Sequence, residues 1–314
     1  MGHKAWRIIV AFSLLVACQP APSGGVEEGR RLQVVATTPI VGDVVREIGG
    51  EAIDLVVLLQ PGMDPHTFEP SPQDAARVAR AAVIFAVGAG LEAFLDPLLR
   101  QAGGHARKVD LTEGIPLRPF EAGVEEVEEE EEEGHEAHGP MDPHVWLDPQ
   151  NVITWTFTIE RTLGELDPGH ADRFRRNAEA YRAELKALDE WIQAQVASIP
   201  PERRLLVTEH QVFGYFAHRY GFTQAGVILP GVTTAAQPSA QEIARLEETI
   251  RTKGIRAIFV SSTVDPVLAR RIAEDTGARL VRLYVDSLSE PGGEADSYLK
   301  MMRYNVQAIV EALR

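Results

Sequence analysis

The feature that most constrains this chain is a stretch near its middle, 168–200, with no glycine beyond Gly169 and no proline between Pro168 and Pro200. Phe174, Tyr181, Leu185, Leu188, Trp191 and Ile192 recur there at helical spacing. Asp167-Pro168 opens the stretch and Pro200-Pro201 closes it. The spacing predicts one helix of roughly 28 residues, about 42 Å long at 1.5 Å per residue. A break near Gly169, giving two shorter helices, is the alternative. A rod of that length between two halves acts as a strut and permits less movement than a loop hinge.

Both sides of the strut show the same rhythm. Before it, strands are expected at 32–36, 53–59, 82–87 and 107–111, with helices at 40–48, 71–81 and 91–102. Ser71-Pro72-Gln73-Asp74 supplies a cap, a first-turn proline and an acid at the positive end of the helix dipole. After the strut, strands are expected at 204–208, 226–229, 255–261 and 279–285. Helices are expected at 211–220, from a Ser239/Glu242 capping box to about 253, at 266–276 and at 296–313. Such alternation implies an α/β fold of two similar lobes, each a parallel sheet flanked by helices. The expected division is an N-terminal lobe 31–167, a linking helix 168–200 and a C-terminal lobe 201–314, sizes that suit two domains.

The first eighteen residues read as an address. Lys4 and Arg7 precede an uncharged, mostly apolar run at 8–18, too short for the roughly 20 residues that span a bilayer. It ends Leu15-Val16-Ala17-Cys18, which looks like a bacterial lipoprotein processing box, with Cys18 as the lipidated residue. Cys18 is the only cysteine, so no disulfide forms within the chain. Residues 19–30, rich in Pro, Gly, Ser and Glu, read as a flexible tether.

The net charge of −15 is unevenly placed. Ten glutamates and no lysine or arginine lie at 121–136. The remainder is therefore only mildly acidic, and no basic face points to nucleic acid. The tract within 121–140 reads as a disordered loop. His135 and His138 are mixed into it, which makes it either a solvated loop or a loose cation collector.

Ligand sites in open parallel sheets lie outside the carboxyl ends of the strands. His66 follows the strand ending at 59, His144 follows the acidic tract, His210 follows the strand 204–208, and Asp286 follows the strand 279–285. Each alone is a weak candidate, since a loop histidine is commonly a hydrogen-bonding group and a loop aspartate commonly makes a turn. Together, three imidazoles and one carboxylate are a donor set that suits tetrahedral zinc. Asp64, Glu69 and Asp148 are candidates for orienting the imidazoles.

Four segments carry a family resemblance: Pro61-Gly-Met-Asp-Pro-His66-Thr-Phe-Glu-Pro70, Asp142-Pro-His144-Val-Trp-Leu-Asp-Pro149, His210-Gln-Val-Phe-Gly-Tyr-Phe216 with Tyr220-Gly221, and Tyr298-Leu-Lys-Met-Met-Arg-Tyr-Asn305. They resemble the solute receptors of bacterial zinc and manganese uptake ABC transporters, over nearly all of the mature chain. The resemblance implies two α/β lobes joined by a long helix, with the metal held between them by His66 and His144 from the first and His210 and Asp286 from the second. It implies an exported monomer, anchored by lipid on Cys18 at the periplasmic or extracellular side of a membrane. The partners would be an ABC permease and its ATPase.

Manganese receptors of this kind usually present a carboxylate where His210 stands, and Glu209 is its neighbour. The Phe213-Gly-Tyr-Phe216 landmark fixes the match on His210, which favours Zn2+ over Mn2+ as cargo. A zinc hydrolase with Glu209 as base, and a metal-stabilised adhesin, are the rivals from other classes. No His-Glu-x-x-His helix supports the first.

Overall fold

Four short strands open the folded chain: β1 (Leu32–Ala36), β2 (Ile53–Val57), β3 (Val83–Ala86) and β4 (Arg107–Asp110). All pair in parallel, in the order β2-β1-β3-β4. Between them run α1 (Pro39–Gly49), α2 (Pro72–Val78) and α3 (Leu95–Ala102). Local chemistry sets their ends. Thr38 caps α1 through Val41 N, with Pro39 in the first turn, and Gly50 leaves the helix at φ 53°. Ser71 and Asp74 form a reciprocal capping box on α2. This computed structural model describes residues 2, 31–120, 141–230 and 234–314. Cys18, the tether 19–30 and the tract with His135 and His138 lie outside the described residues.

Two helices follow, α4 (Pro149–Leu166) and α5 (Ala171–Val196), before the second sheet. The expected strut is α5, 26 residues long. It starts later than the apolar spacing implies, because Pro168–His170 form a separate 3-10 turn at the glycine. α4 is absent from the expectations above. Its middle is rich in Val, Ile and Thr, which have weak intrinsic helix preference. Packing overrides propensity: Val152, Trp155, Ile159 and Leu163 bury one stripe, and Asp148 caps the helix ahead of Pro149.

The second half repeats the first. β5 (Leu205–Thr208), α6 (Gly214–Tyr220), β6 (Thr223–Val227), α7 (Ala240–Thr252), β7 (Ala257–Ser261), α8 (Val267–Thr276), β8 (Arg279–Leu283) and α9 (Tyr298–Leu313) follow in turn. Its sheet is parallel in the order β6-β5-β7-β8, the same topology as the first. β6 lies three residues earlier than its apolar run suggests. As an edge strand, it takes the polar Thr223 and Gln224 into the ladder. α6 starts three residues late, because 210–213 form the loop that carries His210.

Both sheets share one core. α1, α4, α5, α6 and α9 meet in a single buried cluster with side chains from both sheets, including Ile40, Trp155, Leu188, Phe216 and Met302. Two smaller clusters cover the outer faces, one around Ile84 and Leu98, the other around Ile258 and Ile272. The carboxyl ends of the strands are thereby left to loops.

Candidate metal centre

The His66 loop leaves the first sheet gradually. Leu58 N and Leu59 N still donate to Ala36 O (2.9 Å) and Thr37 O (3.0 Å) beyond the end of β2. Asp64 then shapes the turn, accepting from His66 N at 2.9 Å and from the Thr67 hydroxyl at 3.2 Å. His144 is held the same way: Asp142 Oδ1 accepts from its backbone N at 2.9 Å. The repeated Asp-Pro-His step is thus one local device used twice. His210 lies two residues beyond β5, where the Thr208 hydroxyl donates to its carbonyl at 2.8 Å. Asp286 follows β8, and the Ser261 hydroxyl at the end of β7 donates to its Oδ2 at 3.1 Å.

These loops bring all four predicted residues together. One donor atom from each of His66, His144, His210 and Asp286 lies within 4.8 Å of every other. His66 Nε2 and His144 Nε2 are 3.2 Å apart. Asp286 Oδ1 is 3.8 Å from His144 Nε2 and 3.7 Å from His210 Nε2. A tetrahedral zinc site with bonds near 2.0–2.1 Å has ligand–ligand edges of about 3.3 Å, so small movements suffice to close this cage. His144, His210 and Asp286 are buried, and His66 is partly exposed. Among the described residues, both ring nitrogens of His210 and Oδ1 of Asp286 are buried without a hydrogen-bond partner. Buried polar atoms normally find one, and here His210 Nε2 and Asp286 Oδ1 lie 3.7 Å apart.

The charges complement each other. Burial raises the cost of a charged Asp286, but His210, His144 and His66 outweigh it and hold the carboxyl well below its usual range. Burial opposes a proton on His210, yet Asp286 outweighs it and raises that imidazole. His66 is pushed down to about 4, by burial first and then by the neighbouring His144.

Asp142 was not among the expected orienting groups, yet its Oδ1 lies 2.7 Å from His144 Nδ1, leaving Nε2 to face the cluster. The signal was its position two residues before the histidine, as with Asp64. Asp148 instead caps α4 and pairs with Arg219 at 3.2 Å, and Glu69 is exposed. Glu209 turns away: its carboxylate accepts from Ser261 N at 3.0 Å, and burial pushes it up to about 7. In the bend beyond β5, His210 and not Glu209 therefore joins the cluster.

Residues 34–312 match the family described as zinc-uptake complex component A, periplasmic. The metal ABC transporter substrate-binding lipoprotein ScbA of Streptococcus cristatus is 32% identical over 310 residues, covering 98% of this chain and 96% of that protein. The manganese-binding lipoprotein MntA of Halalkalibacterium halodurans is 31% identical over 308 residues, covering 98% and 97%. The structure of the periplasmic zinc-binding protein TroA from Treponema pallidum superposes with a TM-score of 0.78 at 27% identity, covering 90% of this chain and 99% of that one. With its paired parallel sheets and long connecting helix, the chain belongs to the periplasmic zinc-uptake complex component A family, the metal-binding substrate receptors of ABC transporters.

Proposed function

We propose that this protein is a high-affinity zinc receptor in which His66, His144, His210 and Asp286 hold the cation as cargo and surrender it to an ABC permease driven by its ATPase. The receptor is exported and works as a lipoprotein, as its relatives are named. Cys18 is the residue we assign to the lipid, and the receptor acts as a monomer. His135 and His138 would feed cations toward the cleft.

One observation carries the choice of metal: the third imidazole. His210 stands in the cluster with both ring nitrogens unpaired, while the adjacent carboxylate of Glu209 is committed to Ser261 N. Three nitrogens and one oxygen, each within 4.8 Å of every other, favour zinc, whereas manganese binds nitrogen donors most weakly of the common divalent series and prefers oxygen-rich sites. Four protein ligands also support a receptor over a hydrolase, which needs an open coordination position. A manganese receptor is the second reading, favoured by the name of the Halalkalibacterium relative.

Metal analysis of untagged protein, equilibrated with zinc and manganese together, decides between them. Zinc at one ion per chain in the wild type, and clearly less than one in His210→Ala at the same free zinc, is the expected result. Bound manganese in the wild type, or full zinc in the variant, overturns the assignment.

A further inference from the structure

In chain order His144 stands with the first half, but its surroundings bind it to the second. Trp146, two residues on, donates from Nε1 to Val285 O at 2.7 Å, and Val285 directly precedes Asp286. The Trp146 carbonyl accepts from the Tyr298 hydroxyl of α9 at 2.7 Å. The Asp142 carbonyl accepts from the Tyr215 hydroxyl of α6 at 3.0 Å. All three bonds are buried. Even the tie to the preceding chain, Asp142 N to Arg118 O at 2.8 Å, leads back to Tyr215, whose hydroxyl accepts from Arg118 N.

The His66 loop is held differently. Its apolar side chains, Leu58, Leu59 and Phe68, belong to the small outer cluster of the first sheet rather than to the shared core. Among the described residues, its hydrogen bonds to the second half are Gly62 N to the Ser287 hydroxyl, at 2.8 Å, and the Thr234 hydroxyl to Asp64. Met63 at its tip is 43% exposed. The halves themselves are joined by the shared core and by Tyr298 N donating to Asp43 at 2.8 Å. Separating them as bodies would tear that core, whereas swinging the loop breaks, among the described residues, those two polar bonds and the 3.2 Å contact of His66 with His144.

We propose that Trp146 and Tyr298 are positioning residues that lock His144 beside Asp286 and His210, so that the metal-free protein holds a three-ligand half-site and the His66 loop, 60–68, closes on the cation last. The inference rests on the ligand set proposed above and adds its order of assembly.

Hydrogen exchange of the full chain, metal-free and with one equivalent of zinc, tests it. Segment 142–147 should be protected in both states, and 60–68 only with zinc. Tyr298→Phe should make 142–147 labile in the metal-free protein, leave 60–68 unchanged there, and speed zinc transfer to a chelator on the order of tenfold, the lower range for losing a ligand's supporting contact. Tyr215→Phe, which removes a different tie, should do the same and guards against a folding defect in the first variant. Equal gains of protection in the two segments on zinc binding, or none in 60–68 while zinc is bound, overturn the order of assembly alone. Failure of the wild type to retain zinc would instead overturn the ligand set, and the order with it.

Discussion

Within its own loop, His144 takes its ring orientation from the Asp142 carboxylate. Asp142 Oδ1 faces both its backbone N and its Nδ1, so Asp142→Asn should keep the loop and weaken the ring's orientation. Zinc affinity is expected to fall about 10–100-fold, measured by competition with a chromophoric chelator; an unchanged affinity would remove Asp142 from the account. The pH dependence follows from His210. Asp286 overcomes burial and raises this imidazole above its ordinary 6.5, so its proton competes with zinc already above that pH. Affinity should therefore already be declining before the pH falls to 6.5, by up to roughly tenfold per unit for each proton displaced. His66, depressed to about 4, joins only in stronger acid. A titration flat from pH 8 to 5 would contradict three histidine ligands. The ligand candidates were legible because each follows a strand or an Asp-Pro step. Asp142 was missed although it stands two residues before its histidine, as Asp64 does.

Elements set the tolerances of these residues. Gly214 begins α6, and a Cβ there would lie 2.5 Å from Asp142 Oδ2. Gly214→Ala should therefore push Asp142 off His144 and reduce zinc affinity without unfolding the helix, with isothermal titration and far-ultraviolet dichroism as the paired readouts. On α5, Asp189 accepts from Arg219, Tyr220 and Gln150, tying the strut to α6 and to the start of α4. Asp189→Ala leaves Arg219 without its main partner. It should cost about 3 kcal/mol in urea unfolding of the metal-free protein, the low end for breaking a buried pair because Arg219 remains partly exposed. The strut was readable from one unbroken apolar stripe. α4 was not, because its β-branched residues mask a helix that only the shared core stabilises.

At the scale of the molecule, the alternation of strands and helices announced two parallel sheets, and both are present with identical strand order. The sequence pattern says nothing of which helices pool their apolar faces, and that pooling makes one core behind two lobes. Cargo and fold are therefore coupled. Zinc that binds only the folded chain should stabilise it by about 4 kcal/mol at a thousandfold excess over Kd, and a chelator should reverse the gain. Thermal unfolding with and without chelator checks this.

The central claim is that four side chains spread from 66 to 286 meet on one zinc ion. X-ray absorption at the zinc edge of untagged protein loaded with one equivalent tests it directly. The account predicts four nitrogen or oxygen neighbours at about 2.0–2.1 Å, with imidazole scattering reduced by a third in His210→Ala. Six-fold oxygen coordination, or a spectrum indifferent to that substitution, would contradict it.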